Sequence, residues 1–165
     1  MMASNICAET KSRLTTCFLG NCPAMTFASR LTRCPIPFDP APLGAVCDRF
    51  AALSPDLRAL AEGTAGCSPF LGGLLLREAD WIEAAMQDNP EAALDEVLSG
   101  FEGLSADALG PALRRAKGRI ALLAGLAALG GVWAREQVTG ALTRLADAAV
   151  HHAAGLLYAL HPVQH

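Results

Sequence analysis

Carboxylates are the side chains from which a nucleotide-transfer site would have to be built. Transfer of a nucleotide with two metal ions needs clustered carboxylates, commonly two aspartates with one residue between them on a strand. No two of the eight aspartates have this spacing, and the nearest substitute is Glu78 with Asp80, at a predicted helix start. The sequence also contains neither of the two common phosphate-binding glycine loops, the Walker loop and the Gly-x-Gly-x-x-Gly loop. Lys117-Gly118 lies within a predicted helix and has no glycine loop before it. We therefore nominate no catalytic, cofactor-binding or metal-ligating residue.

The densest group of charges in the sequence is basic. Arg114, Arg115, Lys117 and Arg119 lie close together and could bind phosphate or nucleic acid. Their positions fall between apolar residues 113, 116 and 120, which places them on the outward faces of a helix. The formal net charge of the chain is −3, and aromatic residues are not interleaved with the cluster. We therefore expect a solvated or interdomain helix face and no nucleic-acid partner.

Histidines and cysteines are the remaining residue types that could hold a metal ion. His161 and His165 have a ligand-like i, i+4 spacing, but Pro162 between them interrupts a helix. His151 and His152 are adjacent and point to different faces of a helix. The cysteines, at positions 7, 17, 22, 34, 47 and 67, include no Cys-x-x-Cys pair, and the chain is longer and more leucine-rich than a disulfide-stabilised domain. We expect free thiols in a reducing cytosol and no metal site.

The elements that would position such groups are predicted to be helices. The chain has 165 residues, of which 52% are hydrophobic and 18% charged, and this fits one folded domain. Alanine and leucine are abundant, β-branched residues are sparse, and no alternating apolar–polar run predicts a strand. The sequence therefore predicts an all-α fold.

Several short helices are predicted first. Three of them begin at a capping side chain followed by proline in the first helical position, at Ser54-Pro55, Ser68-Pro69 and Asn89-Pro90. The helix after Ser54 is expected to reach about Ala61, because Gly63 and Gly66 follow. A helix before these three is predicted from an apolar stripe formed by Leu43, Val46, Phe50 and Leu53.

The inner faces of these helices follow from the apolar spacing. Asp80, with Glu83 three residues later, has the spacing of a capping box for a further turn. The residues predicted to face the core are Phe70, Leu71, Leu74 and Leu75, then Trp81, Ile82, Ala85 and Met86, and then Leu94, Val97, Leu98 and Phe101.

Two long helices are predicted to end the chain as an antiparallel hairpin. Ser105 caps the first, Gly130-Gly131 breaks it, and each helix carries apolar residues at alternating spacings of four and three, which suits helix pairing. These seam positions are Leu109, Leu113, Ala116, Ile120, Leu123 and Ala127 in the first helix, and Val138, Leu142, Leu145, Ala149, His152 and Leu156 in the second.

The segment of residues 1–40 is predicted to be irregular or disordered, since prolines at 23, 35, 37 and 40 prevent a continuous helix. Met25 could be the true translation start, in which case the preceding residues would be wrongly assigned to the protein. Residues 41–160 are the predicted helical segment. The uncharged apolar stretch Ile120–Ala134 has fifteen residues, whereas a membrane span needs about 20. A buried core helix is favoured over a small membrane protein, and no membrane partner is expected.

Three segments resemble a known enzyme family. They are MTFASRLTRCPIPFDP (25–40), GCSPFLGGLLLREADW (66–81) and LRRAKGRIALLAGLAALGGVWAREQVTGALTRLADAAV (113–150). Together they are similar to the N-terminal part of the bifunctional glutamine synthetase adenylyltransferase/adenylyl-removing enzymes, with the alphaproteobacterial type nearest. Two departures stand out: Ala128 replaces an aspartate common in the family, and the sequence from His151 onward no longer follows the family, which suggests a shifted or truncated reading frame.

The resemblance implies a function that the residues alone do not. Enzymes of this family attach AMP to a tyrosine of glutamine synthetase and remove it by phosphorolysis, under control of a PII regulatory protein. It implies Mg²⁺ and ATP as cofactors of a longer enzyme, glutamine synthetase and PII as partners, and a cytoplasmic location. Residues 41–160 would then be the helical lead-in to a nucleotidyltransferase domain.

The family's Asp-x-Asp motif follows the region of resemblance and does not occur in this sequence. No catalytic residue is therefore carried over, no cofactor is assigned to this chain, and the chain is expected to be a truncated part that is inactive alone. The alternative is a free-standing helical protein-interaction module, oligomeric through its last two helices.

Overall fold

The computed structural model describes residues 25–160, and within that range the chain is helical, with no β-strand. The predicted all-α fold is therefore confirmed for these residues. The helices are α1 Phe27–Arg30, α2 Leu43–Arg49, α3 Pro55–Cys67, α4 Pro69–Arg77, α5 Ala79–Gln87, α6 Pro90–Ser99, α7 Ala106–Leu129 and α8 Arg135–Leu160.

Helix α7 is the centre of the core. It packs against α3, α4, α5, α6 and α8, and its central turns are buried on most sides. Aliphatic side chains from the surrounding helices fill the space around it. Burial of this apolar surface is the main force that holds the short helices in place, because helices of this length are marginal in water by themselves. The largest fully buried side chains are Phe27, Phe50, Leu60, Leu74, Leu75, Ile82, Met86, Ile120, Leu122, Leu123, Leu126 and Val46.

The three predicted helix starts are confirmed. Ser54 Oγ accepts a hydrogen bond from the backbone N of Leu57, and Ser68 Oγ accepts one from the backbone N of Leu71. Asn89 caps α6 in the same way through its Oδ1. In each helix the proline that follows the cap is the first helical residue, where its missing N–H leaves no bond unmade.

The predicted end of α3 near Ala61 is wrong, because the helix continues to Cys67. Gly63 and Gly66 lie inside it and serve close packing rather than termination. A Cβ atom at Gly63 would lie 2.0 Å from the carbonyl oxygen of Pro35, and one at Gly66 would lie 2.5 Å from Cβ of Pro37. Both glycines therefore let an extended segment lie directly on the helix.

Two local predictions about α4 and α5 are also wrong. Phe70 was expected in the core but is exposed, whereas Leu74 and Leu75 of the same predicted face are buried. Asp80 does not cap α5, since the N-cap residue is Glu78 and no side chain bonds there. Asp80 and Glu83 instead both pair with Arg49 of α2, so a long-range ion pair replaces the predicted capping box.

The predicted hairpin of α7 and α8 is supported in part. The two helices pack against each other after a turn at Gly130 and Gly131, and Gly131 has φ +69°, a conformation that favours glycine. Leu109 near the start of α7 and Leu156 near the end of α8 line the same cleft, as in an antiparallel pair. The predicted seam of α8 is mostly half-buried, however, and Leu142 on it is exposed.

Residues 26–39 form a strap across the helices. The strap begins with the single turn of α1 and continues as an extended segment without regular structure. Its backbone is bonded at several places along the molecule: Phe27 N to Asp88 O, Thr32 N to Gly130 O, and Asp39 N to Gly66 O. Phe27 is fully buried, so the strap is part of the fold.

None of the helices within residues 25–160 combines the length and the apolar composition needed to span a membrane. The stretch Ile120–Ala134 instead supplies the middle and end of α7 and the turn that follows, and most of it is buried in the core.

Candidate functional site

The most elaborate polar cluster joins three distant parts of the chain at Glu91, in the first turn of α6. Arg30 Nη1 donates hydrogen bonds to both carboxylate oxygens of Glu91, at 2.8 and 2.7 Å. Trp133 Nε1 donates to Glu91 Oε1 at 2.8 Å, and Arg30 Nη2 donates to the carbonyl of Val132 at 2.9 Å. One carboxylate therefore ties the strap and the α7–α8 turn to α6.

The electrostatics of this cluster favour the ionised carboxylate. Burial by itself would raise the pKa of Glu91, but the hydrogen bonds from Arg30 and Trp133 outweigh it and hold the pKa below its usual value. The position of Glu91 at a helix N-terminus acts in the same direction, since the helix dipole stabilises a negative charge there. Glu91 is thus a fixed anion that holds the fold, not a proton donor or acceptor near neutral pH.

The strap also caps the C-terminus of α7. Arg33 donates from Nε to the carbonyl of Leu129 and from Nη2 to the carbonyl of Ala128. Thr32 donates from its backbone N and its Oγ1 to the carbonyl of Gly130. The last carbonyls of a helix have no partner within it, so these bonds fix where α7 ends and how the turn begins.

The acidic pair considered as a substitute metal site, Glu78 and Asp80, is divided between two arginines. Glu78 accepts a hydrogen bond from Arg119 Nε at 2.8 Å, while Asp80 pairs with Arg49 of α2. The guanidinium of Arg119 also lies over the ring of Trp81, 5.0 Å from its centre. Two carboxylates that each neutralise a different arginine make poor ligands for one shared cation.

The basic cluster of α7 is therefore not a uniform surface. Arg119 is half-buried and paired, whereas Arg114, Arg115 and Lys117 are exposed, as predicted for a solvated face. Arg115 and Arg119 border an open cleft of about 270 Å³ between α6 and α7, opposite Glu96 and over an apolar floor. The cleft carries charges of both signs, which argues against a dedicated phosphate site.

The histidines that the structure describes lie at the far end of α8. The ring of His152 packs edge-on against Phe101, with ring centres 5.7 Å apart, and His151 is exposed beside it. His152 therefore fills a seam position as an aromatic side chain rather than as a ligand. His161 and His165 lie outside the described residues.

Cys34, Cys47 and Cys67 are free thiols, and Cys7, Cys17 and Cys22 lie outside the described residues. Burial, together with the nearby carboxylate of Asp56, raises the pKa of Cys34 above its usual value. Within residues 25–160, no three side chains of histidine, cysteine, aspartate or glutamate are grouped so that they could hold a metal ion.

Comparison with known proteins identifies relatives of one kind. Enzymes named bifunctional glutamine synthetase adenylyltransferase/adenylyl-removing enzyme match from Caulobacter vibrioides (38% identity over 90 residues), Bradyrhizobium sp. BTAi1 (38% over 101) and Rhodopseudomonas palustris TIE-1 (36% over 121). The matches cover 52%, 58% and 68% of this chain respectively. The chain is a homologue of a segment of this enzyme family.

The segment is a small part of the adenylyltransferase/adenylyl-removing enzymes. The matched regions are 9%, 10% and 12% of the length of the three relatives, so the chain spans about a tenth of each. No profile of a known family and no solved structure matches the chain.

The structure shows how the three segments that carry the resemblance to this family fit together. The first is the strap with α1, the second spans the end of α3, α4 and the start of α5, and the third is most of α7 and α8. Arg30 belongs to the first segment and Trp133 to the third, and Glu91 joins them. The sequence analysis did not bring Glu91, Arg30 and Trp133 together, although Arg30 and Trp133 lie in the segments that resemble the adenylyltransferases.

Proposed function

We propose that this chain is the helical N-terminal part of a glutamine synthetase adenylyltransferase/adenylyl-removing enzyme and that it supports a nucleotidyltransferase centre whose catalytic acids lie outside it. The observation that carries the proposal is the Arg30–Glu91–Trp133 cluster, which locks together segments that resemble this family. A helical frame of this kind can hold a neighbouring catalytic domain in a fixed position relative to its substrate.

The distribution of carboxylates supports a scaffold role. Glu78, Asp80 and Glu91 each form an ion pair with an arginine from another helix. A two-metal transfer site needs carboxylates that are free to bind the cations. The proposal therefore assigns Mg²⁺ and ATP to the complete enzyme, with glutamine synthetase as its substrate, PII as its regulator and the cytoplasm as its compartment, and it treats this chain as inactive alone.

A segment exchange tests the scaffold role directly. The homologous segment of the Caulobacter vibrioides relative is replaced by residues 25–150 of this chain, and AMP transfer to glutamine synthetase is measured in both directions. We expect activity within a factor of about ten of the parent, because the frame and not the reacting groups has been exchanged. A hybrid that folds but has lost both reactions would contradict the proposal.

An assay of the isolated chain provides a second test of the scaffold role. Purified protein is incubated with glutamine synthetase, labelled ATP and Mg²⁺, and labelled AMP on the substrate is counted. We expect no transfer above a heat-denatured control. Label on glutamine synthetase would show that this chain carries its own catalytic groups, and the scaffold role would then be wrong.

A free-standing interaction module is the second candidate, and one observation favours it. Ile36 and Phe38 on the strap are 87% and 92% exposed, and Phe70 at the start of α4 is also exposed. Pro35 and Pro37 hold this part of the strap against the glycines of α3, so its apolar side chains project from a fixed backbone. Exposed apolar residues on a rigid support are typical of binding sites. Loss of activity in the exchanged enzyme, with a cooperatively folded isolated chain, would favour this candidate.

A further inference from the structure

The exposed side of α7 carries positive charges that no acid of the described residues neutralises. Arg77 at the end of α4, together with Arg114 and Lys117 of α7, is exposed and forms no ion pair within residues 25–160. We call these three residues the basic face. Arg115 is not included, because it borders the cleft opposite Glu96. Other arginines of the same range donate hydrogen bonds to carboxylates or carbonyls; they are Arg30, Arg33, Arg49, Arg119 and Arg144.

The basic face lies on one side of α7. Arg114 is three residues before Lys117 and four before Gly118, which places all of them on the same side of the helix. Arg77 reaches this side because Gly118 has no side chain. A Cβ atom at Gly118 would lie 3.2 Å from Cδ2 of Leu74 and 3.7 Å from Nη2 of Arg77. The end of α4 therefore packs closely on α7 and holds the Arg77 guanidinium beside the other two charges.

The charges of the basic face are spread along the axis of α7. The guanidinium of Arg114 lies beside Gly110, with Nη1 3.7 Å from where a Cβ atom of that glycine would be. The guanidinium of Arg77 lies at the level of Gly118, eight residues further on. The two groups are therefore at levels about 12 Å apart along the helix, and Lys117 belongs to the same row. Neighbouring like charges on a helix are destabilising, and a partner of opposite charge would relieve the repulsion.

We propose that the basic face binds an acidic α-helix of a partner protein, which lies along α7 and presents carboxylates at positions i, i+4 and i+8. Carboxylates with this spacing share one side of the partner helix, and the first and last are about 12 Å apart along its axis. They match the row formed by Arg114, Lys117 and Arg77. The small residues Gly110 and Ala121 on the same side of α7 let a second helix approach closely.

Charge complementarity favours an acidic helix over other anions. A single phosphate group could meet only one end of the row. Nucleic acid is disfavoured, because the formal net charge of the chain is −3 and residues 110–121 include no aromatic side chain on which a base could stack. A helix with regularly spaced carboxylates meets all three charges at once, and such complementarity fixes the register of a complex. The proposal does not depend on the proposed enzymatic role.

Two synthetic peptides of equal composition test the proposal. Both are helices of about 20 alanine and glutamine residues that carry three glutamates. In the in-line peptide the glutamates are at i, i+4 and i+8, and in the scattered peptide they point to different sides. Each is titrated at low salt into the full chain labelled with ¹⁵N, and backbone amide shifts are followed by NMR. We expect the in-line peptide to shift the amides around Arg77, Arg114 and Lys117. It should bind at least about threefold more tightly than the scattered peptide, which cannot form all the ion pairs together.

Variants separate the basic face from general surface charge. Changing Arg77, Arg114 and Lys117 together to glutamine should weaken binding of the in-line peptide about tenfold, and each single change about twofold. Arg135→Gln is the matched control and should bind normally, because Arg135 is also exposed and without an ion pair in the described range but lies at the start of α8. Circular dichroism shows whether each variant keeps its helices.

Three results would overturn the proposal. The two peptides could bind equally well, or the in-line peptide could bind as well to the glutamine variants as to the unaltered chain. Either result would mean that the spacing of these charges has no specific role. The third is a short double-stranded DNA that binds the basic face more tightly than the in-line peptide, which would assign this surface to nucleic acid.

Discussion

At the scale of single residues, Glu91 links three parts of the chain, because its carboxylate receives hydrogen bonds from Arg30 of the strap and from Trp133 in the α7–α8 turn. Replacement by glutamine keeps an acceptor for Trp133 Nε1 but removes the charge that holds Arg30. The Glu91 side chain is 42% exposed, so water screens part of the interaction. We expect Glu91→Gln to lower the free energy of unfolding by about 1 kcal/mol, measured by urea denaturation.

The control for this change is Glu96→Gln. Glu96 lies on the same helix, is exposed, and forms no ion pair among the described residues. Its replacement should change stability by less than about 0.5 kcal/mol. Equal losses in the two variants would mean that the cluster around Glu91 contributes nothing specific.

The lowered pKa of Glu91 also predicts a pH dependence. A carboxyl whose pKa is lower in the folded state binds its proton more readily when unfolded, so its contribution to stability is present above the unfolded pKa and is lost as pH falls through the folded pKa. The unfolded value for glutamate is about 4.3. We expect the stability difference between the unaltered chain and Glu91→Gln to be constant near neutral pH and to shrink below about pH 4. Urea midpoints of both proteins across this range measure the difference, and a gap that does not close in acid would contradict the assignment.

At the scale of helices, the starts of α3, α4 and α6 could be predicted from the sequence, whereas the start of α5 and the end of α3 could not. Ser54, Ser68 and Asn89 act through hydrogen bonds to residues two or three positions away, so local sequence contains the signal. Gly63 and Gly66 were interpreted as the end of α3 because glycine weakens helices. Their role depends on Pro35 and Pro37, almost thirty residues earlier, and no local pattern contains that contact.

Two glycine-to-alanine substitutions, at Gly73 and at Gly63, test this explanation. Alanine normally stabilises a helix relative to glycine by up to about 1 kcal/mol. At Gly73 of α4 a Cβ atom would meet nothing within 4 Å, so Gly73→Ala should raise the unfolding free energy by about that amount. At Gly63 the Cβ would collide with the carbonyl oxygen of Pro35, and Gly63→Ala should lower the unfolding free energy by about 1–3 kcal/mol. Thermal unfolding of the two variants should therefore shift in opposite directions, and stabilisation by both would show that the strap does not lie on α3.

At the scale of the whole molecule, the sequence predicted the fold class but not what holds the helices together. The all-α class follows from composition, and most of the core from apolar spacing, because both are properties of neighbouring residues. The Arg30–Glu91–Trp133 cluster joins residues separated by 61 and 42 positions. A contact between residues so far apart produces no periodic pattern in the sequence. The segment that contains Arg30 was also expected to be irregular because of its prolines. The prolines do exclude helix from the extended part of the strap, but two of them, Pro35 and Pro37, also lie directly against the glycines of α3.

Removal of the strap therefore tests where the folded unit begins. The sequence predicted a helical segment that begins at residue 41. The contacts of the strap described above are made by residues 26–39, so a chain beginning at Met25 keeps all of them and is the reference for a chain beginning at Ala41. A chain beginning at Ala41 would lose the fully buried Phe27 and leave the carbonyls of Ala128, Leu129 and Gly130 without their partners. Loss of a buried phenylalanine side chain alone costs about 3–5 kcal/mol, out of a total stability of about 5–15 kcal/mol. We therefore expect the chain from Ala41 to be largely unfolded or molten at 25 °C by near-ultraviolet circular dichroism and hydrogen exchange. Cooperative unfolding of that shorter chain at the midpoint of the full chain would show that the helices alone specify the fold and that the strap only lies on their surface.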